Sequence, residues 1–155
     1  MIITLNKVTK TYDKPKPLKD IVYELAPEMA DQVLACFHNS EVLELGSIVD
    51  FDATLVPITY QDEEGKRIFE LCLRFVLIMA ARELYPDYKL RFEHSLGQGV
   101  YIEMEDLRLN PSSVSSLEGM MWDIIHQDLP FIGSCWTREG AIEYFKSINE
   151  DDKAN

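Results

Sequence analysis

Few histidines and cysteines are available in this sequence to bind a metal or act as a catalytic base. The chain has three histidines, His38, His94 and His126, and three widely spaced cysteines. A structural zinc site normally takes four ligands, supplied by closely spaced pairs. Only Cys36 and His38 form such a pair, so the sequence predicts no metal site. His94 could act as a base only with a partner that the sequence does not identify.

A second group of polar residues lies in a predicted hairpin centred on residues 93–106. Its carboxylates could do acid–base chemistry if burial separated their pKa values. Alternating polar residues on the exposed face of two strands are the simpler interpretation. If the chain binds a small molecule, the turn and the polar strand ends are the expected site. That site would consist of His94, Gly97, Gly99, Tyr101 and Glu103.

Neither glycine-containing segment fits a nucleotide-binding loop. The phosphate-binding loop needs two glycines separated by four residues, followed by Lys and then Ser or Thr. Here Tyr60 occupies the first glycine position, and Arg67 follows Gly65 and Lys66. The 97–99 segment lacks the third glycine of a dinucleotide fingerprint and opens no predicted helix. The sequence therefore predicts no cofactor within these residues.

The one basic cluster lies near the N-terminus of a strongly acidic chain. The formal net charge is -12 and the isoelectric point is about 4.6, so the chain repels a phosphate backbone at long range. We therefore expect a solvated loop and no nucleic-acid partner, with a local RNA-contact patch as the alternative. The cluster consists of Lys7, Lys10, Lys14, Lys16 and Lys19.

The cysteines and the apolar segments predict a cytoplasmic protein with no membrane partner. An odd number of widely spaced cysteines argues against a disulfide framework, and each lies in an apolar run. Buried, reduced thiols are the expectation. The N-terminus resembles a strand more than a signal peptide. The longest apolar stretch, 75–81, is too short to span a bilayer.

Hydrophobic periodicity predicts an α+β chain whose first 60 residues contain one helix. Strands are expected at 3–5, 8–12, 32–38, 42–45 and 54–59, and the helix at 18–25. A tight turn at Asn6 and Lys7 would join the first two strands. A single helix packed on a mixed sheet is typical of a β-grasp, or ubiquitin-like, domain.

A second small α+β domain is predicted after a polar boundary at residues 61–66. The proposed division is 1–60 and 66–149, with 150–155 as a linker or truncation point. Apolar spacing predicts a helix at 69–84, and Asn110 and Thr137 are expected to cap two more. The remaining expected elements are strands at 89–94, 100–104 and 131–136. The aromatic residues expected in the core or at its edge are Tyr101, Trp122, Trp136 and Tyr144.

Several short strings, in order along the chain, resemble the front half of threonyl-tRNA synthetases. They are ARELYP at 81–86, GQGVY at 97–101, DLPF at 128–131 and TREGAIEYF at 137–145. Residues 1–59 resemble the ubiquitin-like TGS domain of those enzymes. Residues 69–148 resemble the module that follows it, which edits mischarged tRNA. Together the two segments cover nearly the whole chain.

The resemblance implies the fold but argues against the editing activity. The synthetase module uses a His-x-x-x-His pair in its long helix and a later Cys-x-x-x-His. The two positions of the first pair correspond to Leu71 and Phe75, and the later motif is absent from this sequence. Unlike imidazole, these apolar side chains neither bind a metal nor polarise a water molecule.

The same two modules precede the kinase domain in a group of bacterial uridine kinases, and EHSLGQGVY at 93–101 looks closer to that group. This resemblance implies a non-catalytic accessory region, regulatory or ligand-binding, whose partner is a kinase domain in cis. ATP and magnesium would bind only in that domain. The alternative is a degenerate tRNA-binding or editing-related module of a threonyl-tRNA-synthetase-like protein.

Overall fold

The computed structural model describes residues 1–96 and 99–148, and for residues 94–96 it describes the backbone only. Within these ranges the chain is a mixed α+β structure with four α-helices and a mixed sheet, as the sequence predicts. No helix in the described ranges is both long and apolar enough to cross a membrane.

A five-stranded sheet dominates the first part of the chain, with the strand order β2-β1-β7-β4-β5. The central strands β1 and β7 are parallel, and the other neighbours are antiparallel. The short strands β3 and β6 pair separately. The elements are β1 (Ile2–Leu5), β2 (Val8–Thr11), β3 (Lys16–Pro17), α1 (Leu18–Leu25), β4 (Val33–His38), β5 (Glu41–Glu44), β6 (Ile48–Val49) and β7 (Ala53–Thr59).

Two tight turns set the register of the antiparallel pairs. Asn6 and Lys7 have φ angles of 47° and 68°, which confirms the predicted turn between β1 and β2. Asn39 and Ser40 have φ angles of 47° and 71° between β4 and β5. Consecutive positive φ angles match the right-handed twist of a two-residue hairpin.

The main hydrophobic core lies between α1 and the sheet. Alternation places Ile3 and Leu5 on the inner face of β1, and both are fully buried. Helix α1 buries Leu18, Ile21, Val22 and Leu25, at the spacing that predicted a helix. Burying each such side chain stabilises the fold by about 1.5–3 kcal/mol.

The second part of the chain begins with a long helix that starts earlier than predicted. The polar segment 61–66 was expected to be a boundary, but α2 already begins at Glu63. The first turn contains Glu63 and Glu64, whose negative charges interact favourably with the helix dipole. The polar sequence of this turn was therefore mistaken for a boundary between domains. The elements are α2 (Glu63–Leu84), β8 (Leu90–Leu96), β9 (Gly99–Met104), α3 (Pro111–His126) and α4 (Arg138–Ser147).

The two predicted helix caps are confirmed. The Asn110 side chain accepts a hydrogen bond from the Ser113 amide at 3.0 Å, and Pro111 opens α3. The Thr137 hydroxyl accepts one from the Gly140 amide at 3.1 Å. Each cap satisfies a backbone donor that the first turn of a helix leaves free.

The second hydrophobic cluster is small, and this overturns several predictions. Its buried members are Ala80, Ala81, Met104 and Leu117. Residues 131–136 form no strand, because no segment within 1–96 or 99–148 pairs with them, and Cys135 is exposed instead of buried. The four aromatic residues expected in the core or at its edge are about half exposed, because they lie outside this cluster. They are Tyr101, Trp122, Trp136 and Tyr144.

Candidate functional site

The positions that correspond to the editing histidines lie on one face of α2, about one turn apart. Leu71 is 64% exposed and Phe75 is 52% exposed. The Phe75 ring packs edge-on against Phe131, with 5.4 Å between the ring centroids. Neither side chain can donate or accept a proton, so this face of α2 offers no acid–base chemistry at these two positions.

Phe75 belongs to a groove of about 760 Å³, here called the apolar groove, between α2 and residues 124–133. Its one thiol is Cys72, whose pKa is raised by burial, so the thiol is a poor nucleophile at neutral pH. Two carboxylates, those of Glu44 and Asp128, are also part of the lining. The remaining lining residues are Phe69, Leu73, Phe75, Val76, Met79, Ile124, Ile125, Leu129, Pro130, Phe131, Ile132 and Gly133.

A second concavity, here called the hairpin pocket, lies between α2 and the β8–β9 hairpin and has a volume of about 840 Å³. Unlike the apolar groove, it includes the cationic side chains of Lys66 and Arg74. Its other lining residues are Tyr60, Phe69, Glu70, Leu73, Leu77, Phe92, Gly99, Val100, Ile102 and Met121.

Arg74 contacts both a carboxylate and an aromatic ring in the lining of the hairpin pocket. Its Nη2 donates to Glu70 Oε1 at 2.5 Å, one helical turn away. The guanidinium carbon lies 5.3 Å from the centroid of the Phe92 ring, within the range of a cation–π contact. The Nε atom is buried and has no acceptor among the described residues.

The predicted small-molecule residues do not all face this pocket. Gly99, at the start of β9, lines it together with Val100 and Ile102. Tyr101 and Glu103 are exposed and do not line it. The side chain of His94 and all of Gly97 lie outside the described residues. The five-residue site therefore remains a prediction. Of its five residues, Gly99 lines the hairpin pocket.

The sequence interpretation missed Lys66, Arg74 and Phe92. One signal was present, because Lys66, Glu70 and Arg74 recur every four residues and so share one face of α2. The partner of that face could not be read from the periodicity, since it is supplied by a hairpin later in the chain.

Two lysines of the N-terminal basic cluster form salt bridges with a carboxylate of the same chain. Lys10 donates to Glu24 at 2.9 Å, and Lys16 bonds the other oxygen of the same carboxylate. The Tyr12 hydroxyl donates to Glu24 at 3.0 Å. Lys7, Lys14 and Lys19 are exposed. The net positive charge available to an RNA backbone is therefore smaller than the number of lysines suggests.

This cluster shifts the pKa values of two groups. Hydrogen bonds from Lys16 and then Lys10 lower the pKa of Glu24 to about 2. Burial, followed by the hydrogen bond to Glu24, raises the pKa of Tyr12 to about 12. Both shifts favour an ionised carboxylate beside a protonated phenol at neutral pH.

Within residues 1–96 and 99–148, no three His, Cys, Asp or Glu side chains come together as a metal site. The Cys36 thiol is buried, which raises its pKa to about 11. The neighbouring His38 ring contacts Phe51, with 5.0 Å between the ring centroids. The sequence pair Cys36 and His38 is thus part of the packing beside the core.

Comparison with known proteins points to threonine–tRNA ligases, although no protein-family model matches the chain. The chain is 26% identical over 149 residues to the Anaplasma marginale enzyme and 28% identical over 149 residues to that of Ehrlichia canis. It is 30% identical over 145 residues to the Clostridioides difficile enzyme. These matches cover 96%, 96% and 93% of this chain, but only 23%, 24% and 23% of the relatives.

The chain therefore spans about a quarter of the length of the curated relatives it matches. Its homologues are threonyl-tRNA synthetases, in agreement with the resemblance to those enzymes. The relatives named here give no support to the uridine-kinase interpretation, and they favour the alternative of a synthetase-like module.

Proposed function

We propose that this chain is a degenerate, non-catalytic relative of the editing-related module of threonyl-tRNA synthetases. The observation that carries this proposal is the presence of Leu71 and Phe75 at the positions of the first editing histidine pair. Both lie on one helix face, and Phe75 lines an apolar groove whose single thiol has a raised pKa. The groove contains no histidine, its thiol is a poor nucleophile, and Glu44 and Asp128 are the only carboxylates among its lining residues.

The proposal extends to the architecture. A central parallel pair, antiparallel neighbours and one packed helix support a β-grasp assignment for residues 1–60. The separate hydrophobic cluster after residue 66 supports a second unit over 66–149. On this basis the first unit is TGS-like and the second corresponds to the editing module.

Any contact with tRNA would be weak and strongly dependent on salt. The net charge of -12 opposes binding, and Glu24 engages Lys10 and Lys16. The patch that remains for RNA consists of Lys7, Lys14 and Lys19. We propose a role in positioning other parts of a cytoplasmic synthetase-like protein, in which tight tRNA binding is unnecessary.

Hydrolysis of a mischarged tRNA tests this proposal directly. The purified chain is incubated with mischarged threonine tRNA, beside a synthetase editing module as the positive control. The expected result is deacylation at the rate of the buffer alone. Deacylation above that rate by the chain would overturn the proposal. Filter binding of tRNA at low and moderate salt measures the remaining affinity separately.

An accessory region of a uridine-kinase-like protein is the second candidate, favoured by the acidic charge and the string EHSLGQGVY at 93–101. In that case ATP and magnesium would bind to a kinase domain elsewhere in the protein. The intact mass and sequence of the endogenous chain decide between the candidates. A phosphate-binding loop beyond residue 155 would support the kinase, and further synthetase sequence would support the first proposal.

A further inference from the structure

The hairpin pocket has a local charge opposite in sign to that of the whole chain. Lys66 and Arg74 contribute two positive charges to its lining, and Glu70 contributes one negative charge. The chain as a whole carries a net charge of -12. Lys66 is exposed, and no described carboxylate pairs with it. A locally positive cavity in an acidic protein attracts a small anion more effectively than it attracts a long polyanion.

Aromatic rings lie beside these charges. The rings of Tyr60 and Phe69 are in edge-to-face contact, with 5.0 Å between their centroids. Tyr60 is 52% exposed and Phe69 is 41% exposed. Exposed aromatic side chains that line a concavity provide stacking surface for a planar ligand. Both belong to the pocket lining, as does the Phe92 ring below the Arg74 guanidinium.

Donors exceed acceptors on the polar side of the pocket. A guanidinium carries five N–H groups, and Glu70 accepts from Arg74 at Nη2. The Nε of Arg74 has no acceptor among the described residues. Because Nε is buried, a planar anion such as a carboxylate or phosphate would reach only the terminal N–H groups that Glu70 does not occupy.

We infer that the hairpin pocket binds a small aromatic anion of mononucleotide size. Its volume of about 840 Å³ falls within the range of roughly 300–1,000 Å³ typical of small-molecule sites. The ring of the ligand stacks against Tyr60 and Phe69. Its anionic group contacts Lys66 and the terminal N–H groups of Arg74 that Glu70 does not occupy. This inference does not depend on the proposed function, since it requires neither tRNA nor an editing reaction.

Titration with uridine and adenosine monophosphates tests the inference on the 155-residue chain. Binding is measured by calorimetry and by amide chemical-shift changes, with uridine and inorganic phosphate as partial ligands. We expect saturable binding of both nucleotides, because stacking tolerates different bases. Among the described residues, shifts should concentrate at 60–74, 92–93 and 99–102. Each partial ligand should bind at least tenfold more weakly than the nucleotide.

Two variants and one control assign the contacts. Lys66→Gln should weaken nucleotide binding by about fivefold, the effect of one partly exposed charge. Phe69→Leu should weaken it by about fivefold or more by removing a stacking surface while keeping an apolar side chain. Lys146→Gln, an equal charge change on the exposed face of α4, should leave the affinity unchanged.

The inference is overturned if neither nucleotide gives saturable shifts in the folded chain at millimolar concentration. It is also overturned if Lys146→Gln weakens binding as much as Lys66→Gln, because attraction would then be non-specific. Equal affinity for uridine and uridine monophosphate would show that the pocket does not bind the anionic group, which contradicts the inference. None of these outcomes changes the deacylation result, so the failure of one proposal is distinguishable from that of the other.

Discussion

Gly65 in the first turn of α2 lies directly against the carbonyl group of Thr59 at the end of β7. A Cβ atom at position 65 would lie 1.8 Å from the Thr59 oxygen and 2.6 Å from its carbonyl carbon. Backbone cannot move aside as a flexible side chain can. This contact therefore fixes the direction in which α2, the longest helix among the described residues, leaves the sheet.

Replacing Gly65 with alanine is expected to destabilise the chain by about 3 kcal/mol, because the added methyl group has no space. The matched control is Gly119→Ala on the exposed face of α3, where no atom lies within 4 Å of the new Cβ. That change should stabilise the chain by about 0.5–1 kcal/mol through a lower backbone entropy in the unfolded state. Urea denaturation of the three proteins gives the free energies of unfolding. Equal effects would contradict the packing described for Gly65.

Asp62 makes the same junction sensitive to pH. Its carboxylate accepts from the Thr59 amide at 2.7 Å and from the Thr59 hydroxyl at 3.1 Å. These bonds lower the pKa of Asp62, the amide being the larger cause. A lowered folded-state pKa adds stability above the ordinary carboxyl pKa of about 3.9 and loses it as the pH falls through the folded value. Asp62→Asn should therefore make stability fall less steeply as the pH is lowered. Thermal unfolding between about pH 2 and pH 6, roughly the range over which carboxyl groups titrate, measures this.

The control for Asp62 is Asp13→Asn, which removes an equal charge from an exposed loop far from the junction in sequence. Its acid limb should keep the slope of the unmodified chain. If both variants flatten the limb equally, the effect comes from net charge, and the Thr59 hydrogen bonds do not cause it.

Glu24→Gln should change the titration of Tyr12. The pKa of Tyr12, about 12, is raised first by burial and then by the hydrogen bond to Glu24 and its charge. Removing that charge should lower the pKa of Tyr12, but not to its usual value, because burial remains. Carbon-13 chemical shifts of labelled tyrosine rings measure this. Tyr23, whose raised pKa comes mainly from Asp31, is the internal control and should titrate as before. An unchanged Tyr12 would contradict the described network.

Glu24→Gln should also affect RNA affinity, because it releases Lys10 and Lys16 from a carboxylate. Filter binding at low salt should show tighter tRNA binding by the variant, with a steeper dependence on salt concentration. No change in either quantity would mean that this lysine cluster does not meet RNA.

The three thiols should react with a thiol reagent at widely different rates. Cys135 is exposed, Cys72 is half-buried, and Cys36 is buried with its pKa raised to about 11. Because the thiolate is the reactive form, Cys135 should react first and Cys36 last. Mass spectrometry of digested samples over time identifies the labelled sites. Cys135→Ser should remove the fast phase alone, and rapid labelling of Cys36 in the folded chain would contradict its burial.

Local signals in the sequence were sufficient for many individual elements. Asn6 and Lys7 predicted a two-residue turn, the spacing of Leu18, Ile21, Val22 and Leu25 predicted α1, and Asn110 and Thr137 predicted helix starts. Each rests on bonds or packing periods within a few residues. The absence of histidine at positions 71 and 75 was likewise readable directly.

Tertiary structure decided which of these elements found a partner. Residues 131–136 have the composition of a strand, but a strand needs a neighbouring edge, and no strand of the described ranges pairs with them. Trp122, Trp136 and Tyr144 are apolar enough for a core, yet the small cluster around Ala80 and Leu117 leaves them exposed. The hairpin pocket joins Lys66 and Arg74 to Phe92, residues that only the packing of α2 on a later hairpin brings together. Burial and pocket formation depend on contacts between distant segments, which one-dimensional periodicity does not encode.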